Sequence, residues 1–469
     1  MSAQPLWIAD DAATATGGHN TGGWEASGIS IDTRTLESGD LFVALAGPNF
    51  DGHRFVGSAF DAGAAAAMVA KETDATGPQL VVDDTLDALR RLGEAGRARM
   101  EGKVVAVTGS VGKTGTKEAL AHALAQQGSV SASRSSLNNH WGVPLSLARM
   151  PADTDFGIFE IGMNHPGEIT PLTKMARPDV AIVTAIAPAH MEFFDSVEDI
   201  ARAKAEIFCG MYNGVAVINR DSEYFDLLSE IALTTGAAEV IGFGRHVSAE
   251  MRLVECLSDA AGSDIDATWR GTPIHYRIGQ PGTHWAYNSL AVLAAVDALG
   301  GDIAQAAAML ATLPALPGRG AIHVVPWGDG QIRVIDDSYN ANPESMSAAL
   351  KTLGHLPKDG GRRVAILGDM LELGDISRAA HANLKDHVEK NEVDLVFLAG
   401  TEIQALADAL DGARIGGTAP DADDLLPMVV SGLRAGDVVS VKASNGIGLG
   451  RIVAALLDPE TNHSADTDG

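Results

Sequence analysis

Short apolar runs recur along the chain. Each is bounded by Gly, Asp or Pro, and most are followed by a longer segment with apolar positions three and four apart. Such runs read as buried strands and the longer segments as helices. In residues 1–83, GDLFVAL and QLVVDD read as strands, and FVGSAFDAGAAAAMVA as a helix leading into a strand. Residues 84–314 carry VVAVTG, FGIFEIG, DVAIVTAI and GVAVINR between helical segments. Strands that are apolar throughout, rather than alternating, point to a parallel sheet covered by helices on both faces. LPALPGRG, with its prolines and glycines, interrupts the pattern and reads as a linker or hinge. Residues 315–456 alternate again, through IRVIDD, RVAILGD, DLVFLAG and DVVSVKAS. Residues 457–469 are polar and expected to be disordered. The expected fold class is α/β in three domains.

At 469 residues the chain is too long for one ordinary core, which agrees with several domains. A formal charge of −27 argues against nucleic acid or an anionic membrane surface as a partner. Any anionic ligand must then meet locally concentrated positive charge, metal or helix N-termini. Two cysteines far apart in sequence, Cys209 and Cys256, suggest neither disulfides nor a zinc site, and a reducing cytoplasm is expected. The N-terminus has no basic segment leading into an apolar core, so no signal peptide is expected. No apolar run is long enough to suggest a membrane span.

KVVAVTGSVGKTGTKEAL, residues 103–120, joins an apolar strand to a helix through a Gly-Lys-Thr turn. It differs from the common phosphate loop, because Val107 stands where the first glycine would be. Thr108, Gly109, Ser110, Val111, Gly112, Lys113, Thr114 and Gly115 nevertheless have the right context. Glycines let backbone N–H groups turn toward phosphate oxygens, and the helix adds its N-terminal donors. Lys113 suits the outer phosphates of ATP, and the Thr114 hydroxyl suits Mg²⁺.

Three further residues bear chemistry. Glu160 ends an apolar strand, the edge at which open parallel sheets bind ligands, so it either holds Mg²⁺ or faces solvent. His190 follows another strand and is either structural or at the same edge. In VEDIARAKAEIF, read as a helix, Lys204 falls on the inward stripe with Ile200. A lysine there either snorkels, or is buried with a depressed pKa and reacts with CO₂ to give an anionic carbamate.

TGSVGKT, SLNNHWGVPLSL, FEIGMNHPGEI, AIAPAHMEFFDSVEDIARAKAEIF, PGRG and IDDSYNANPESM occur in the order seen in the Mur ligases of peptidoglycan synthesis, and the chain resembles that family over nearly its whole length. The shortened loop is that family's form. The resemblance implies an N-terminal UDP-sugar-binding domain, a central ATPase domain, and a C-terminal Rossmann-like domain. It implies Lys113 and Thr114 at ATP and Mg²⁺, with Glu160, His190 and a carbamylated Lys204 as ligands of what would be two Mg²⁺ ions. It places Asn288 at adenine, Arg319 at phosphate and Asp337 near ribose. Thr33, Arg34, Asp51, Gly52 and His53 fall in the UDP-sugar segment, and Asn138 and Asn139 face the sugar-peptide or phosphate. IDDSYNANPESM and RRVAILGDMLELG most resemble the member joining D-alanyl-D-alanine to UDP-N-acetylmuramoyl-tripeptide, and a cytoplasmic monomer is expected.

The sequence departs from the family at KASNGIGLGR, where Ala443, Asn445 and Gly450 replace parts of a Lys-Gly-Ser-Arg stretch and a Leu-Glu pair. Trp285 follows His284 where the family often has Asn. The GIGLG run is no dinucleotide fingerprint, since Arg451 occupies the third glycine's place. The competing readings are a ligase adding the third peptide residue, a folylpolyglutamate synthase, and a P-loop ATPase switch.

Overall fold

The computed structural model describes residues 4–47, 50–134, 137–188, 191–259, 261–358 and 360–458. It is a three-part α/β protein, and each part has a principal sheet. The first is five-stranded, with Asp40–Val43 and Ala66–Val69 central and completely buried. It rests on the second part through Leu145 and Ala148, which join its apolar core. Trp7 Nε1 donates to the Ala148 carbonyl at 2.8 Å, and Arg149 Nε donates to that of Ile29 at 2.6 Å.

The second part is a nine-stranded sheet. Lys103–Thr108 runs between Phe156–Glu160 and Val180–Val183, parallel to both. These strands are almost wholly buried because helices cover both faces: Lys113–Leu124 and Thr283–Ala298 on one side, Gly142–Ala148 and Ile169–Ala176 on the other. All the loops after these strands therefore open on one edge, and the chemistry-bearing residues collect there. The helix after the phosphate loop ends at Leu124. The sheet is also not parallel throughout. Met251–Asp259, Gly262–Trp269 and Thr272–Ile278 extend it as an antiparallel meander. Their alternating polar residues left them unmarked in the sequence, because only one face packs on the core.

Residues 312–320 form turns and coil between this part and the third. The third sheet is six-stranded, with Gly330–Asp336, Val438–Lys442, Arg363–Gly368 and Leu395–Ala399 as its parallel centre. Its loop at Gly374 touches the second part, where a Cβ on that glycine would lie 3.2 Å from Glu192 Cα. The ligand edges of the second and third parts are thereby brought together.

Candidate active site

The loop after Lys103–Thr108 is locked by its neighbours. Gly109, at φ +147°, passes so close to Thr184 that any Cβ would collide with its hydroxyl. Thr184 Oγ1 donates to the Val111 carbonyl at 2.6 Å. Ser110 donates through its hydroxyl to Ala187 O at 2.9 Å and through its backbone N–H to Ala185 O at 2.7 Å. Gly112, at φ +89°, caps the helix that starts at Lys113, and a Cβ there would lie 2.8 Å from Asn288 Oδ1. A Cβ on Gly115 would meet Trp285 at 3.1 Å. Loop, Asn288 and Trp285 therefore approach to backbone distance, and the glycines permit it. Thr108, Ser110, Thr114 and Gly115 are buried, Val111 and Lys113 half-buried, so the loop is recessed rather than surface-facing.

Lys113 Nζ donates to Gly109 O at 2.7 Å. Desolvation lowers its pKa, Glu160 opposes that and Arg319 adds to it, so all three groups share one field. Thr114 Oγ1 donates to Glu160 Oε2 at 2.6 Å, and Asn138 Nδ2 donates to Oε1 at 2.8 Å. Glu160 is only 1% exposed. A buried carboxylate whose hydrogen-bond donors are a hydroxyl and an amide, both neutral, fits a hard cation. Mg²⁺ takes one or two protein oxygens and leaves the rest to phosphate and water. Among the described residues no cluster of three His, Cys, Asp or Glu side chains forms a metal cage. His190 lies outside the described residues, as does the chain after residue 458.

Lys204, on the helix Val197–Ala205, is 1% exposed. Burial, and after it the charge on Lys113, holds its ammonium well below the ordinary lysine range.

Across the cleft, Arg319 lies with its guanidinium 4.5 Å from the Tyr339 ring centroid. Asp336, beside Asp337, accepts the Gly318 N–H at 2.7 Å and fixes the turn that presents Arg319. Asp337 pairs with Lys442 at 3.0 Å. Desolvation lowers the pKa of His284, Asp337 opposing and Lys442 adding to it, so the two parts face each other here.

In the first part, His53 Nε2 accepts the Ala70 N–H at 2.8 Å, so its Nδ1 carries the proton donated to Asp51 at 2.7 Å. Gly52 is packed under Leu45 O, with no room for a Cβ. Thr33 is half-buried, and Arg34 is exposed on Asp32. Asn139 turns inward, its Oδ1 accepting the Gly142 N–H at 2.9 Å. Thr184, Ser133, Asp336 and Tyr339 carry no motif of their own and were missed; of these only Asp336 and Tyr339, inside IDDSYNANPESM, had a signal.

Fold and loop together define a multidomain P-loop α/β enzyme with its site between two sheets. The Mur ligase family's middle domain matches residues 107–296, its glutamate ligase domain 322–445, and the Mur ligase family catalytic domain 25–97. UDP-N-acetylmuramoyl-tripeptide–D-alanyl-D-alanine ligase of Rickettsia prowazekii is 33% identical over 453 residues, covering 96% of this chain and 99% of that one. The crystal structure of MurF from Acinetobacter baumannii aligns with TM-score 0.83 at 29% identity, covering 97% of this chain and 100% of that one. MurF ligase from Thermotoga maritima in complex with ADP aligns with TM-score 0.75 at 27% identity, covering 93% and 98%. The chain belongs to the Mur ligase family.

Proposed function

We propose that this chain joins D-alanyl-D-alanine to UDP-N-acetylmuramoyl-tripeptide at the expense of ATP, the ligation stated in the name of its full-length relative. The single observation that carries the reading is that end-to-end identity, 33% over 96% of the chain. Its first part then takes the UDP-sugar, with Thr33, Arg34, Asp51, Gly52 and His53 along the binding segment. ATP lies on residues 108–115, with Asn288 and Asp337 at its adenosine and Lys113 and Arg319 at its phosphates. The working units are residues 1–83, 84–314 and 315–456.

The terminal carboxylate of the tripeptide attacks the γ-phosphorus, and ADP leaves. The amine of D-alanyl-D-alanine then attacks the acyl carbon; phosphate and a proton are released as the amide forms. Little covalent work falls to the protein, so positioning and charge neutralisation carry the rate. Lys113 and Arg319 supply fixed positive charge. Thr114 and Glu160 would hold Mg²⁺, and His190 and a carbamylated Lys204 would complete the ligand set for two ions. Bound there, Mg²⁺ would supply neutralising charge to the phosphates. Lys204 suits carbamate formation because its neutral amine adds CO₂ and loses a proton, and the anion relieves the repulsion from Lys113. The acyl phosphate survives because the third part closes over the site. The chain works as a monomer in the cytoplasm, where its nucleotide substrates are found.

ADP release measured with each substrate alone and with both tests the reading. Release that needs both supports a ligase, and release indifferent to both makes the chain an ATPase of another kind.

A further inference from the structure

Lys117 lies one helical turn beyond Lys113, and its side chain is 0% exposed. Lysines are almost never that buried without a reason. Its Nζ pairs with Glu118 at 2.7 Å and donates to the Ser133 carbonyl at 2.5 Å. That second bond changes the sheet. Val130–Ala132 pairs with Phe156–Glu160 in parallel register, Ala132 opposite Ile158. Ser133 continues the ladder by donating its N–H to Ile158 O at 3.0 Å. The next rung of a parallel ladder joins the Glu160 N–H to the Ser133 carbonyl. Here the lysine has that carbonyl, and the Glu160 N–H turns to the Ser133 hydroxyl instead, at 3.2 Å.

The exchange falls at the residue whose carboxylate meets Thr114 and Asn138. The ladder ends there, and Asn138 is delivered to Glu160 Oε1 while its own carbonyl accepts the Gly162 N–H at 2.8 Å. We infer that the Lys117–Ser133 pair is a positioning device for Glu160: the buried ammonium draws one carbonyl out of the sheet so that a hydroxyl, rather than a rigid strand, sets the carboxylate. Neither residue touches a reacting atom. The inference rests on the proposed role of Glu160 as a cation ligand.

Outer residues that orient a metal ligand cost about 10–100-fold in affinity when removed. Lys117→Met keeps the length of the side chain without the charge, and Ser133→Ala removes the hydroxyl while leaving the carbonyl. Mn²⁺ bound to the full chain with ADP, read by electron paramagnetic resonance, should weaken about tenfold or more in each. kcat should fall with the KM for ATP little changed, and Ser133→Thr should bind as the wild type does. Folded variants that bind Mn²⁺ as tightly as wild type would overturn the proposal, whatever their thermal stability. If Lys117→Met does not fold, Ser133→Ala decides alone by the same reading. A wild type that holds no more Mn²⁺ than free ADP does would instead overturn the reading of Glu160, and the inference with it.

Discussion

The hydroxyl of Thr114 donates to Glu160 Oε2 at 2.6 Å across 46 residues of sequence. One residue opens the helix after the phosphate loop, and the other ends the neighbouring strand. Because the two strands run parallel in register, Val107 opposite Glu160, hydroxyl and carboxylate meet at the same sheet edge. The pair is the structural centre of the proposed ATP and Mg²⁺ site.

Replacing Thr114 with Val should therefore do two things. It leaves one oxygen of a buried carboxylate without its donor, which costs about 1–3 kcal/mol of stability. It also removes a metal-facing oxygen, and kcat should fall about 100-fold with a raised Mg²⁺ requirement. Thr114→Ser should retain both. Thermal melts and an Mg²⁺ titration of the rate check this, and a Val variant with normal Mg²⁺ dependence contradicts it.

Lys204→Ala should be inactive, and short carboxylates such as formate or acetate should restore part of the rate by supplying the missing anion. Wild-type enzyme stripped of CO₂ should lose activity and regain it with bicarbonate. Absence of both effects removes the carbamate from the account.

The depressed pKa of Lys204 also has a signature in stability. The folded lysine titrates below the ordinary value and the unfolded one at it. Between those two values the unfolded chain binds the extra proton, so stability rises with pH there and falls as pH drops toward the folded value. The difference in Tm between wild type and Lys204→Met, measured from neutrality upward in CO₂-free buffer, should grow in favour of wild type. A flat difference would mean an ordinary lysine.

Arg319 is held against Tyr339 at 4.5 Å. Such a contact is worth about 0.5–1 kcal/mol when exposed and about 2 when desolvated. Tyr339→Ala should lower kcat/KM for ATP about 2- to 30-fold, and Tyr339→Phe should keep most of it. Equal effects of the two would assign the loss to the hydroxyl instead.

Much of this was legible in the sequence, for identifiable reasons. The parallel strands around the phosphate loop are buried on both faces and so read as unbroken apolar runs. Lys204 was legible because a charge on the inward stripe of a helix stands out. The meander over 251–278 was not, because half of its residues face water. The bond from the Gly142 N–H to Asn139 Oδ1 was not legible either, because an amide ahead of a helix start has two equally ordinary uses. Ser133 and Lys117 were invisible, since their function lies in a ladder rung exchanged between strands.

The most direct test labels the terminal carboxylate of UDP-N-acetylmuramoyl-tripeptide with ¹⁸O and supplies ATP and D-alanyl-D-alanine. UDP-N-acetylmuramoyl-pentapeptide should form together with inorganic phosphate that carries one ¹⁸O, the oxygen passed from carboxylate to phosphorus. Phosphate without label and no pentapeptide would contradict it.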